Sequence, residues 1–553
     1  MWALRLAWID WELAELQTGV RIPEGPPCFE VVLNRFPVMA LTMELGTVIS
    51  TADSPTTRNF SFVVADRSVR RGQFVQLEAE DGTLIALIQD LTRSNRYFER
   101  AESVNEYEKG GKSFASEFPT AEWEYVVANC IILGAFDGAL ARAGFPPSPG
   151  AKVSAIDLSK LKSFLRFDDS GLDIGKLLRH DLAVKIDFNR LLQKHLSILG
   201  ISGSGKSVCT SVLIEELLAR PVEDGRLGII VFDVHGEYSC FADRQVNPDY
   251  AGKAVVVKGE DVRVETGSLS ASSFQKYAPD ISGVAVRELD KIISAKRGEV
   301  RSGGAAYSLD DLVQAAESSG LKTNVKDALV AWLYDLSRLR AGTVPLFGRV
   351  GYPKTKNIVA PGQLTVFDLS GVTNEKVKQI IVEHYSRALF NSRQRNEIAP
   401  FLLVVEEAHN FAPEKASREH ALAKGIINKI AREGRKFGAS LCLVSQRPKQ
   451  LSTTALSQCN SSIIFRITNP YDVDHIAQSN ESIDADVQGQ LTTLSVGECI
   501  VVGEATGQPV FVRVRNRKSR KTPGKGDDLA LLARRFESAG GRKLNDGDAE
   551  AFL

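Results

Sequence analysis

The sequence predicts an α/β protein with a parallel central sheet and a helical insertion, preceded by a small β-barrel. Two observations predict it. From Met43 to about Phe136, short runs rich in β-branched and aromatic residues (MELGTVIS, NFSFVVA, GQFVQLEAEDGTLIALIQDL, EYVVANCIILGAF) alternate with Gly, Asp and Asn punctuation, which is a barrel pattern of five to seven strands. Beyond the linker signal Phe145-Pro146-Pro147-Ser148-Pro149-Gly150, apolar strands alternate with long helical patterns, as a parallel sheet with crossover helices requires.

Taken in order, residues 1–42 form an N-terminal extension. All three methionines (Met1, Met39, Met43) and three of the five tryptophans lie within the first 43 residues, so translation from Met39 or Met43 is one expectation. A short amphipathic helix, WALRLAWIDWELAEL, is the other. The barrel is expected over 43–136, with Asp81-Gly82 as a hairpin turn and a mobile polar loop over roughly 94–122. The α/β domain is expected over 137–516, with strands at 195–200, 227–234, 364–370, 401–407, 440–446 and 461–467. Helical segments such as SLDDLVQAAESSG and NVKDALVAWLYDLSRLRAG form the insertion at about 268–345. GECIVVGE and GQPVFVRVR are two last strands, and 517–553 is a basic C-terminal tail with a short helix.

Composition narrows the class. The 553 residues are 43% hydrophobic and 25% charged, and 68 basic residues balance 68 acidic ones. The chain is long enough for two or three domains, and no global field marks a polyanion binder; only local patches could. Seven scattered cysteines without a CxxC pair read as reduced core thiols of a cytoplasmic protein, not as disulfides or zinc ligands. No run of about 18 apolar residues suggests a membrane span.

Chemistry concentrates in one motif. Gly200-Ile201-Ser202-Gly203-Ser204-Gly205-Lys206-Ser207 fits G-x-x-x-x-G-K-[ST], with the strand HLSIL before it and a helix starting at Val208 after it. Glycines allow backbone N–H groups to curl around phosphates, and the helix adds its positive N-terminal end. The nucleotide-binding set is therefore Gly200, Ser202, Gly203, Ser204, Gly205, Lys206, Ser207 and Val208. Lys206 would reach the β- and γ-phosphates of ATP and Ser207 would ligate Mg²⁺. A glycine-rich turn with a solvated lysine is the plain alternative, which the strand and helix contexts disfavour.

FLLVVEEAHNF supplies an acidic strand end, five apolar residues followed by Glu406-Glu407. Glu406 would hold Mg²⁺ through water and Glu407 would act as general base; an acidic helix start is the alternative. Asp233-Val234-His235-Gly236-Glu237-Tyr238 ends another strand, where a supporting role near the attacking water is expected over a separate metal site. Gln446, in Ser445-Gln446-Arg447-Pro448, would sense the γ-phosphate or merely cap a strand. Arg432 and then Arg435, in IAREGRKFG, are candidates for an arginine acting on a neighbouring subunit; a helix end decorated with cations is the equal alternative.

The ordered set GISGSGKS, FDVHGEYS, VVEEAHNFAP, IAREGRKFG, VSQRP and FRITN, behind a barrel beginning MELGTVIS, resembles the HerA family of the HerA/FtsK group over about 43–516. The resemblance implies a RecA-like P-loop NTPase core preceded by a HAS barrel. It further implies a homo-hexamer that couples ATP hydrolysis to movement along double-stranded DNA, as a translocase or helicase. A partner is implied too: a NurA-like nuclease in DNA end processing, or a defence effector such as a sirtuin-like enzyme or another nuclease in anti-phage defence. The alternative is a nucleotide-bound ring scaffold that activates an effector, with DNA movement secondary. A type IV secretion-like ATPase at a membrane is the third possibility, disfavoured by the missing anchor. In the family the segment around 508–516 braces the adjacent subunit, and the basic run Arg513–Lys525, seven Lys/Arg and no acid, reads as a solvated tail in preference to a DNA contact. The residues before Met43 have no counterpart in the family pattern.

Overall fold

A computed structural model describes residues 43–538 except 52–53, 96–97, 99–100, 110–119, 137–139, 279, 416–420, 481–482 and 522–528. The expectations for residues 1–42 and for the end of the tail lie outside the described residues. The chain divides into two compact units, the first ending at Asp157 and the second beginning, in its main part, at Leu158.

The first unit contains β1 (Glu44–Ile49), β2 (Asn59–Val64), β3 (Phe74–Ala79), β4 (Gly82–Asn95), β5 (Glu124–Phe136), β6 (Leu140–Ala141) and β7 (Lys152–Ala155). Their order is β2-β1-β7-β3-β4-β5, and pairing of β2 with β5 closes six antiparallel strands into a barrel, with β6 hairpinned on β5. Leu45, Phe60, Phe62, Val75, Leu77, Leu84 and Val153 are buried in it. Gly46 sits at a bulge where a Cβ would lie 2.1 Å from the Val63 carbonyl, so no larger residue fits.

Three details differ from expectation. The β3–β4 turn uses Glu80-Asp81, with Gly82 already paired to Ala79, and Asp81 instead accepts from the Gly144 and Phe145 amides. Within the stretch expected as a loop, Ala101–Glu108 is a helix. The barrel runs past 136: β7, beyond the proline-rich stretch, bridges β1 and β3, and without it both would expose an unpaired edge.

The second unit contains β8 (Phe167–Leu177), β9 (Ala183–Ile186), β10 (Leu196–Leu199), β11 (Gly228–Asp233), β12 (Ala254–Lys258), the short pair β13 (Val264–Glu265) and β14 (Phe347–Gly348), then β15 (Leu364–Asp368), β16 (Phe401–Val405), β17 (Ala439–Ser445), β18 (Ser461–Phe465), β19 (Glu498–Gly503) and β20 (Val510–Val514). Apart from the β13–β14 pair they form one eleven-stranded sheet, ordered β12-β15-β11-β16-β17-β10-β18-β19-β20-β8-β9. The first seven are parallel and the last four run antiparallel to their neighbours. The parallel members β10, β11, β16, β17 and β18 are buried along their whole length, as strands covered on both faces must be. Strands β8, β9 and β12 were not foreseen.

The insertion folds as four helices, Ala271–Tyr277, Gly283–Arg301, Leu309–Glu317 and Thr323–Ser337. Ser270, Ser282 and Ser308 cap three of them, the last with a reciprocal capping box to Asp311. A buried carboxylate, Glu383, ties the insertion to the sheet-covering helix Glu375–Gln394 by accepting from the Tyr277 hydroxyl at 2.9 Å, while Arg387 neutralises it.

One C-terminal expectation needs correction. β20 lies between β19 and β8, with both its edges paired within its own chain. The start of the basic run is docked, not solvated. Arg515 bridges Glu215 and Glu216 of the helix Lys206–Ala219 at 2.8 Å each, Glu215 also accepts from the Lys518 and Ser519 amides and the Ser519 hydroxyl, and Asn247 pairs with the Arg520 backbone. Among the described residues no helix is long and apolar enough to cross a membrane. The six described cysteines are free and buried.

Candidate functional site

The loop between β10 and the helix Lys206–Ala219 carries the site. Gly203 and Gly205 adopt φ of +74° and +119°, and Gly200 φ +151°. A Cβ at Gly200 would stand 2.6 Å from that of Phe465, so here both backbone and space exclude a side chain. The loop is anchored on both sides. Ile201 N–H donates to the Arg466 carbonyl, Gly200 N–H to Ser445, and Gly497 N–H to the Ser204 carbonyl. Ser204 is buried and its hydroxyl donates to Ile201 O at 2.7 Å. Ser202 and Gly203 are exposed at the tip, and Ser207 and Val208 sit in the first turn of the helix.

Lys206 folds over the loop, its Nζ donating to Ile201 O at 2.9 Å. Burial lowers its pKa, and the negative fields of Glu407, Glu406 and Glu237 oppose that shift. The structure thus brings the lysine and the acidic pair into one electrostatic neighbourhood although about 200 residues separate them in sequence. The strand β16 that ends in Glu406 is not the direct neighbour of β10: β17 lies between them. Gln446, one residue past β17, is therefore set between the phosphate loop and the acidic pair.

The two glutamates differ. Glu406 is buried and receives a short hydrogen bond from the hydroxyl of Tyr238, itself fully buried. Burial, with the charges of Asp233, Glu237 and Glu407, raises its pKa to about 8 against the Tyr238 bond. Among the described residues no cluster of three or more acid, histidine or cysteine side chains could hold a metal by itself; Glu406 and the Ser207 hydroxyl at the helix start are oxygen donors of the kind a Mg²⁺ ion arriving with a nucleotide would take. Glu407 adopts the left-handed conformation (φ 47°, ψ 45°), unusual for a residue with a side chain and costing on the order of 1–3 kcal/mol. That turn aims its carboxylate between two imidazoles, His235 Nε2 at 3.4 Å from Oε1 and His409 Nδ1 at 3.2 Å from Oε2. His409 also contacts the Ser445 hydroxyl at 3.1 Å, linking Glu407 to the end of β17. Its pKa is lowered, by burial first.

Asp233 closes the turn that carries His235 and Tyr238. Its buried carboxylate accepts from the amides of His235, Gly236 and Tyr238, closing the turn after β11, and burial raises its pKa to about 6. The other expected members lie elsewhere. Arg432, at the end of the helix Lys424–Glu433, and Arg435, in the following turn, are exposed where the chain enters β17, at the opposite edge of the sheet from the phosphate loop. Sequence reasoning missed Tyr238 and His409 as side chains of the site and His195 as the anchor of the arginine helix. His195, just before β10, donates from Nε2 to Ala431 O at 2.9 Å and accepts the Leu441 amide on Nδ1 at 3.0 Å. The only sequence signal for Tyr238 or His409 was proximity to a motif; for His195 there was none.

With this geometry in hand, comparison with known proteins is informative. Residues 172–389 match the family described as "Helicase HerA, central domain". A probable helicase of Methanocaldococcus jannaschii is 27% identical, the alignment covering 85% of this chain and 90% of that protein. The DNA double-strand break repair helicase HerA of Saccharolobus solfataricus is 27% identical, over 85% of this chain and 92% of that one. Among solved structures, VirB4 of Thermoanaerobacter pseudethanolicus aligns with a TM-score of 0.46 at 16% identity, over 65% of this chain and 99% of that one.

Proposed function

We propose that this chain, similar to the HerA helicases and an ATP hydrolase of the helicase or translocase type, works as a homo-hexameric ring driving double-stranded DNA through its centre, with a nuclease or effector partner. The observation that carries the catalytic part is the pairing of Lys206 on its loop with a buried carboxylate pair of divided labour.

In this mechanism the loop amides and Lys206 hold the β- and γ-phosphates of ATP, and Ser207 and Glu406 hold Mg²⁺. When bound there, the ion would offset the negative charge of the phosphate oxygens. Glu407 takes a proton from a water that attacks the γ-phosphorus. The bond from that phosphorus to the β–γ bridging oxygen breaks, and ADP leaves with the electron pair. His235 and His409 hold the Glu407 carboxylate in line, and Gln446 reports the γ-phosphate to the strand end. Arg432, with Arg435 second, would reach the site of the adjacent subunit, since both stand at the edge remote from their own.

The test is ATPase rate with and without duplex DNA, wild type against Lys206→Ala. Stimulation by DNA that falls steeply with added salt and ignores sequence is expected, because phosphate contacts dominate such binding. A wild type indifferent to DNA would overturn the motor reading and leave the ring scaffold. Lys206→Ala should lose at least about 10²–10³-fold in rate.

A further inference from the structure

We propose that Tyr238 is a positioning residue that fixes the orientation of Glu406 toward Mg²⁺. This rests on the assignment of Glu406 to the metal and names how that carboxylate is held.

The motif Asp233–Tyr238 ends β11, whereas Glu406 ends β16, its immediate neighbour in the sheet. A chain of contacts spans the two ends. Asp233 grips the Gly236 and Tyr238 amides at 2.7 and 2.8 Å, which fixes the turn and points the tyrosine back under the sheet edge. There its ring is fully buried and its hydroxyl donates to Oε1 of Glu406. A phenol can donate only one hydrogen bond. It therefore engages one carboxylate oxygen and leaves the other for the metal's hydration shell. The donor is neutral, so it orients the carboxylate without cancelling the charge a cation needs; a lysine at the same place would compete with the ion. Glu406 has few other ways to be held, because Asp233, Glu237 and Glu407 around it are also acids.

The experiment is titration of fluorescent ADP into wild type, Tyr238→Phe and Glu406→Gln, with Mg²⁺ and with chelator, alongside the Mg²⁺ dependence of ATPase rate. Tyr238→Phe should need about 10–100-fold more Mg²⁺ for half-maximal rate. It should lose most of the Mg²⁺-dependent tightening of ADP while binding ADP in chelator as wild type does, and excess Mg²⁺ should restore turnover. Mg²⁺ dependence identical to wild type, or a rate loss that excess Mg²⁺ does not restore, would overturn the proposal. Should Tyr238→Phe fail to fold, Asp233→Asn, which loosens the same turn, should shift the Mg²⁺ requirement in the same direction, and an unshifted requirement would overturn it. If Glu406→Gln keeps the full Mg²⁺ effect, the metal assignment of Glu406 falls, and that result is separable from failure of the tyrosine variant alone.

Discussion

The two edges of the central sheet are built from the same strands yet carry opposite chemistry. At the C-terminal edge stand the phosphate loop, the buried acidic pair, the buried His409 and the exposed His235, with both imidazoles within 3.4 Å of the Glu407 carboxylate. A cleft of about 870 Å³ opens beside them, its lining including Val234, Asp280, Asp335, Glu375 and Asn410. At the N-terminal edge stand exposed cations, Arg432 and Arg435, beside a smaller cleft of about 300 Å³ lined by Phe188, Leu192, Arg435 and Gly438. The difference teaches that the phosphate loop and the acidic pair share one edge, while Arg432 and Arg435 stand at the other. A head-to-tail ring would bring one edge to the other.

The sharpest way to break that comparison is Arg432→Ala. If the cationic edge completes a neighbour's site, ATPase rate should fall by about 10³–10⁵-fold with nucleotide affinity kept, and the variant mixed into wild-type rings should inhibit out of proportion. A change below about tenfold would reduce that edge to a helix end favoured by its dipole. Next, Glu407→Gln should cost about 10²–10⁴-fold in rate with ATP still bound, measured by single turnover. Equal rates would remove the base from the other edge.

Smaller effects probe how each edge is braced. Arg515→Ala leaves the buried Glu215 of the phosphate-loop helix without its guanidinium, and chemical denaturation should report a loss of about 3–5 kcal/mol. No loss would mean that the C-terminal segment does not brace this helix. Last is His195, whose imidazole is held neutral behind the arginine helix, burial lowering its pKa from 6.5 to about 4. Its folded pKa lies below the unfolded one, so its contribution is complete above about pH 6.5 and is lost as pH falls through about 4. That is on the order of 3 kcal/mol in all. His195→Gln should flatten the stability profile over that window, and an unchanged profile would refute the assignment.

Legibility followed the range of each interaction. The phosphate loop was readable because its four fixed positions, Gly200, Gly205, Lys206 and Ser207, lie within eight consecutive residues, and the acidic pair because an apolar run ends in it. Two helices of the insertion announced themselves through their period. The docked basic segment was misread because its acids, Glu215 and Glu216, lie about 300 residues upstream, and a run of cations with no acid nearby looks solvated. β7 was missed because a four-residue strand behind a proline-rich stretch has too little pattern to be seen, and only barrel closure requires it.

By itself the sequence determined the glycine-rich loop, the strand followed by two carboxylates, the change from a barrel pattern to alternating strands and helices, and a family resemblance. Local backbone rules and hydrophobic period act within a few residues, so they survive in one dimension. Only the tertiary structure decided that Glu406 is held by Tyr238 and Glu407 framed by His235 and His409, that β17 carries Gln446 between loop and acids, and that the arginines face away. Those are properties of strand order and burial, which set who meets whom and how strongly charge is felt, and neither is written in any single stretch of chain.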